Sequence, residues 1–135
     1  MAAYLKSLPT LPPTASAGSR PAAGVLERGR AVYGDRCASC HGERGEGVPN
    51  AYPRLAGNRA VKMDSPANLV HVVLEGGFPP ATPGNPRPFG MPPLATVLND
   101  DDIAAVLSFI RGCWGNRADA VSVYEVQRLR SGRAP

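Results

Sequence analysis

The sequence predicts an all-α domain of three to five helices joined by long proline-rich loops, on three observations. No stretch alternates apolar and polar residues convincingly at the two-residue period of a half-buried strand. Apolar residues instead recur at helical spacing in a few short segments bounded by capping residues. Fifteen glycines and fifteen prolines among 135 residues are far above the usual share, so much of the chain between those segments is turn and irregular loop.

The first helix is expected over Val25 to Arg36, with Val25, Gly29, Val32 and Tyr33 near one face. Gly29 inside a helix costs about 1 kcal/mol relative to Ala. It marks either a close crossing with another helix or simple weakness near the start of a domain. Gly42 to Gly57, with Gly45, Gly47, Pro49 and Pro53, reads as a loop. The second helix is expected over Pro66 to Glu75, with Ser65 as N-cap, Pro66 in the first helical position and Gly76-Gly77 as the stop. Gly77 to Pro93 follows, a loop with seven prolines; loops this long inside a compact domain are usually functional. The third helix is expected from Asp100 to about Gly112, capped by Asn99, with Asp102 completing a capping box and Ile103, Val106, Leu107 and Ile110 as the apolar stripe. A fourth, short helix starts after Ser122, with Val123, Val126 and Leu129 on one side. Residues 1–23 read as a linker or tail, 24–116 as the domain proper, and 117–135 as a C-terminal extension carrying the short helix.

The chemistry lies in Cys37-Ala-Ser-Cys40-His41. Two thiols three residues apart on a helical turn share one face, a spacing suited to two thioether bonds to the vinyl groups of one haem. His41 follows at once, where its imidazole can reach the iron as an axial ligand. The five-residue pattern is the attachment signature of haem c, one per signature. A zinc site would need a fourth strong ligand, with His71 and Cys113 the only other His and Cys. A thioredoxin-like pair would need a βαβ pattern, which is missing.

An axial imidazole needs its second nitrogen held. The carbonyl of Pro53, twelve residues downstream, is the expected acceptor; the alternative is that Pro53 only stiffens its loop. For the sixth ligand there are three methionines. Met1 sits in the tail, and Met63 comes before the chain has had length to cross a haem. Met91, in Phe89-Gly90-Met91-Pro92-Pro93, is held between rigid prolines and is the expected metal ligand opposite His41. His71 is read as a polar surface residue.

The formal charge is +4, spread along the chain rather than gathered in a block. That gives nucleic-acid binding little support and leaves a redox protein partner as the expected one. Arg44, Arg54 and Arg87, in the loops around the haem, are candidate docking residues. No apolar run approaches a membrane span, so membrane association is expected only through a parent complex. No Ser/His/Asp set, phosphate loop or paired carboxylates offer a catalytic alternative; the rival reading is a haem sensor or haem enzyme with a labile Met91.

Together these features resemble class I cytochromes c. More narrowly, residues 25–130 resemble the C-terminal haem domain of the three-haem cytochrome subunit of membrane-associated bacterial alcohol, gluconate and sugar dehydrogenases. The resemblance rests on Cys37 to Gly42, Pro53-Arg54-Leu55-Ala56-Gly57-Asn58, the segment Asn85 to Pro93, and Trp114-Gly115-Asn116. It implies that the first and last core helices cross, with Gly29 and Tyr33 meeting Val106 and Phe109, and that Leu55 and Phe89 touch the haem. It implies an electron carrier rather than an enzyme, taking electrons from a dehydrogenase or neighbouring haem and passing them to a quinone, cytochrome or terminal oxidase in the periplasm. Cys113 departs from the pattern, where Ser or another small residue is expected. Residues 1–24 carry no export signal, and Ala2 to Pro9 looks like the last turn of a preceding haem domain. The chain is therefore expected to be a piece of a longer exported protein.

Overall fold

A computed structural model describes residues 20–132 of the chain; the expected helical turn at Ala2 to Pro9 lies outside them. Five helices follow in order: α1 Ala23–Arg36, α2 Ala38–His41, α3 Ala67–Glu75, α4 Asp100–Gly112 and α5 Val123–Ser131. Among the described residues the only β-pairing is three isolated bridges, Val48 with Tyr52, Gly77 with Met91 and Thr82 with Asn85. The all-α reading holds.

The architecture is set by α1 crossing α4. Gly29 is buried, and a Cβ there would overlap the Ala105 carbonyl and come within 2.8 Å of the Phe109 Cβ. The glycine therefore marks a close crossing. Its nearest neighbours are Ala105 and Phe109, so Ala105 rather than Val106 stands opposite it. One turn further on, Tyr33 packs its ring 5.7 Å from Phe109 and 4.9 Å from Trp114. Phe109 and Trp114 meet edge to face at 5.3 Å, a favoured aromatic geometry. Val25, expected on the same face, stays 38% exposed, at the edge of a hollow it lines with Arg28, Asp101 and Ala104.

Helix α4 is buried on every side from Ile103 to Arg111, since α1, α3 and α5 all pack on it. Asn99 caps it, its Oδ1 accepting from the Asp102 amide at 2.9 Å. The expected capping box is not completed: the Asp102 carboxylate turns to Arg28, accepting from its Nε at 2.8 Å. An ion pair linking α1 to the start of α4 displaces the local bond. On α3 the boundary also shifts. Pro66 occupies the N-cap position, one residue before the helix, while Ser65 Oγ accepts from the Ala67 amide at 3.3 Å. Helix α5 carries a full capping box between Ser122 and Glu125 and buries Val126 completely between α3 and α4.

Gly29→Val should destabilise the protein by about 1–3 kcal/mol, the usual cost of forcing extra methyl groups into a packed contact. Urea unfolding of the holoprotein measures it; an unchanged midpoint would mean the helices separate freely.

Candidate haem-binding site

The site grows directly out of α1. That helix ends at Arg36, and Cys37 serves both as its C-cap and as the N-cap of the single turn α2. The His41 amide bonds the Cys37 carbonyl at 2.9 Å, and Gly42, at φ 80°, ends the turn. Cys37, Cys40 and His41 thereby sit on one turn and line the same cavity. The turn is pinned to the core by Tyr33, whose hydroxyl donates to the Gly42 carbonyl at 2.6 Å. Burial, reinforced by Cys37 and Glu46 nearby, pushes the Tyr33 pKa up to about 12. Burial, then the neighbouring Cys40, pushes the Cys37 thiol up to about 11, so the free thiol is neutral at physiological pH.

Below the turn runs the loop from Gly42 to Gly57. The Gly45 carbonyl accepts from the amides of Leu55 and Ala56 at 2.7 and 2.9 Å, and Gly47 donates to the His41 carbonyl at 2.7 Å. This folding brings the Pro53 carbonyl 2.8 Å from His41 Nδ1. A carbonyl only accepts, so Nδ1 carries the proton and the Nε2 lone pair is left for a metal. Asn116, only 2% exposed, locks the same loop from the end of α4. Its Oδ1 accepts from the Gly57 amide at 2.9 Å, and its Nδ2 donates to the carbonyls of Leu55 and Ile110 at 3.1 and 2.9 Å.

The facing wall comes from the proline-rich loop. Gly77 and Met91 exchange two backbone bonds, Gly77 N–H to the Met91 carbonyl at 3.0 Å and Met91 N–H to the Gly77 carbonyl at 2.8 Å. Gly76, at φ 67°, makes this possible, because a Cβ there would overlap the Met91 carbonyl oxygen. Phe89, Gly90, Met91, Pro92 and Leu94 then line the cavity opposite the cysteine turn. The hollow measures about 460 Å³ and has a mostly apolar wall, within the range of small-molecule and cofactor sites. Two thiols at vinyl spacing, one imidazole with its lone pair available and a thioether on an apolar hollow fit a covalently bound haem.

Of the residues named from sequence, Cys37, Cys40, His41, Pro53, Phe89 and Met91 share this cavity. Leu55 does not line it; its side chain packs on the hydrophobic core. Met63 is half exposed and its carbonyl accepts from Arg111. His71 lies on the outer side of α3, 3.3 Å from Glu75. Among the described residues no group of three or more His, Cys, Asp or Glu is placed to hold a metal ion. Cys113 caps α4 against the core, and burial raises its thiol pKa. Arg54 lines an adjoining hollow that shares Tyr52, Pro53 and Pro79, whereas Arg44 and Arg87 line neither.

Several lining residues escaped sequence reading, among them Tyr52, Arg36, Val72, Phe78 and Leu94. Tyr52 reaches over from the lower loop and packs 5.2 Å from Phe89. Arg36 stands on the rim, ion-paired to Asp35 at 2.7 Å. Val72 lies on the face of α3 away from the core. The signal for Val72 was present: α3 carries apolar residues on more than one face, so it must cover something besides the core.

The sequence pattern of the cytochrome c family matches residues 26–114. The chain is 38% identical over 143 residues to the cytochrome c subunit of the quinone alcohol dehydrogenase of Gluconobacter oxydans, covering 99% of this chain and 30% of that protein. It is 39% identical over 106 residues to the gluconate 2-dehydrogenase cytochrome c subunit of Pantoea cypripedii, covering 77% of this chain and 24% of that one. With cytochrome c-552 of Thermus thermophilus the identity is 32% over 111 residues, 76% of this chain and 84% of the relative. The chain thus spans about a third or less of the dehydrogenase subunits it resembles.

Asn116→Ala should leave the Gly57 amide and the Ile110 carbonyl without the partner Asn116 supplies and the Leu55 carbonyl with the Asn58 amide alone, at a cost of about 1–3 kcal/mol for each group left unpaired and buried. Faster amide exchange confined at first to Gly57 and its neighbours would report the loosened loop; unaltered exchange there would show that Asn116 does not hold it.

Proposed function

This chain belongs to the cytochrome c family, and we propose that it is an electron-transfer domain holding one haem through thioethers from Cys37 and Cys40. In this reading His41 and Met91 would hold the iron. Haem, when bound, supplies a one-electron iron couple. The protein's part is to bury it, orient its ligands and present an edge to a partner. Pro53 holds His41 Nδ1–H, fixing the ring plane and raising the basicity of Nε2. The thioether of Met91 favours ferrous iron and so a relatively high potential. Phe89 and Tyr52, in contact with each other, form one side of the cavity.

The observation that carries this reading is the meeting of the Cys37–His41 turn and the Met91 wall across one apolar hollow. The cytochrome c subunits of alcohol and gluconate dehydrogenases among its relatives support a place beside a dehydrogenase. Electrons would come from that dehydrogenase or a neighbouring haem and leave to a quinone, a cytochrome or a terminal oxidase. We read residues 24–116 as the haem domain and 117–135 as its extension, with Arg54 and the rim residue Arg36 meeting the partner. Attachment of haem c on the oxidising side of the membrane puts the domain in the periplasm. Among the described residues no helix is long and apolar enough to cross a membrane; association with one would run through the parent complex.

Acid-acetone extraction should leave haem on the polypeptide, while Cys37→Ala or Cys40→Ala weakens or abolishes attachment. Haem released from the unmutated chain would overturn the proposal.

Met91→Ala should lower the reduction potential and open the reduced protein to carbon monoxide, which the unmutated site binds little. A mutant that keeps the far-red sulfur-to-iron band would show that another sulfur holds the iron.

A further inference from the structure

We propose that Arg130, on the C-terminal helix and outside the matched family segment, is a positioning residue that holds the Met91 wall against the haem cavity. The inference rests on the assignment of Met91 as ligand. Arg130 spreads its guanidinium over three acceptors on the chain just beyond Met91. Its Nη1 donates to the Ala95 carbonyl at 2.8 Å, its Nη2 to the Leu98 carbonyl at 3.0 Å, and its Nε to Asp100 Oδ1 at 2.6 Å. The side chain is 30% exposed, so the fork lies along the surface with its bonds partly shielded.

What it grips is a tight turn. The amides of Val97 and Leu98 both bond the Leu94 carbonyl, at 3.0 and 2.9 Å, and Leu94 N–H bonds the Val73 carbonyl at 2.9 Å. Leu94 itself lines the cavity beside Met91. Only Pro92 and Pro93 separate the two, and proline has a fixed φ. Between Met91 and Leu94 the chain has little freedom, so displacement of the turn passes to the methionine. On its other side Met91 is held by the two bonds to Gly77. Met91 is therefore suspended between two anchors, one built from backbone and the other completed by a side chain from α5. Lysine cannot replace the fork, because a single ammonium does not present donors in that spread, planar array.

Imidazole binding to the ferric holoprotein tests the proposal, since imidazole occupies the iron only when the methionine leaves. Arg130→Gln should tighten imidazole binding about tenfold or more, the usual scale for loss of a residue supporting a metal ligand. Exchange of the Leu94 and Leu98 amides should quicken in parallel. Arg130→Lys should fall between mutant and parent. Asp100→Asn, which keeps both carbonyl bonds, should bind imidazole like the parent. A lower melting temperature in Arg130→Gln with parental imidazole affinity would reduce the residue to a structural role and overturn the proposal. Equal effects of Arg130→Gln and Asp100→Asn would overturn it in favour of the ion pair. Full rescue by lysine would overturn the need for the fork. Met91→Ala supplies the reference for an open site. If it too leaves imidazole affinity unchanged, the ligand assignment fails and this inference with it; if it tightens binding while Arg130→Gln does not, only the inference fails.

Discussion

The close approach of α1 and α4 at Gly29 is the constraint on which the cavity depends. Helix α1 runs straight into the cysteine turn, and α4 runs straight into Trp114 and Asn116. Bringing the helices together until glycine meets carbonyl therefore fixes the distance between the turn and the residues that hold the loop beneath it. Tyr33 makes the connection explicit. Its ring packs on Phe109 and Trp114 of the α4 side, while its hydroxyl holds Gly42 at the end of the turn. A bulkier residue at 29 would widen the crossing and move both halves of the lower wall at once.

The loops have little regular structure of their own, and a backbone that makes no ladder must find other partners for its polar groups. Two side chains from the helices and one from just beyond α4 supply them. Asn116 bonds Leu55, Gly57 and Ile110. Arg111, 1% exposed, donates to the carbonyls of Val61, Met63 and Asp119 at 2.9, 2.8 and 2.7 Å. Arg130 serves the turn after Met91. Each such bond is worth about 1 kcal/mol net, and more is lost when a buried partner is left unmatched. The helices thus carry the loops through a few polar contacts in addition to the apolar packing of loop residues such as Leu55, Val61 and Leu98 on the core.

What the sequence made legible was local. Asn99 and Gly112 bound α4 correctly because a cap and an apolar stripe are properties of neighbouring residues. Gly29 could be read as a crossing or as helix weakness, and only the structure decides for the crossing. Most of the failures involve distant partners. Asp102 leaves its cap for Arg28, which is 74 positions away. Arg111 and Arg130 are not singled out by the sequence, since nothing local announces which carbonyls will need donors. Leu55 sits in a motif correctly tied to the lower loop, yet its side chain turns to the core while Tyr52 takes the cavity side. Pro66 misses the first helical position by one residue, a shift typical of helix boundaries.

The seven prolines between Gly77 and Pro93 have a thermodynamic reading as well as a geometric one. Ordering a loop costs backbone entropy of about 1–2 kcal/mol per residue, and this loop makes few bonds in return: Thr82 with Asn85, Gly77 with Met91 and little else. Proline lowers that cost by restricting the unfolded chain, wherever its fixed φ is already compatible with the folded one. Closure by the Gly77–Met91 pair then isolates the stretch between them from the position of Met91 itself. Phe78 stands where the closed stretch meets the cavity: it is 83% exposed, lines the cavity and lays its ring against Gly90. A stiff, closed loop can in this way vary its outer surface while the methionine it delivers stays at the cavity wall.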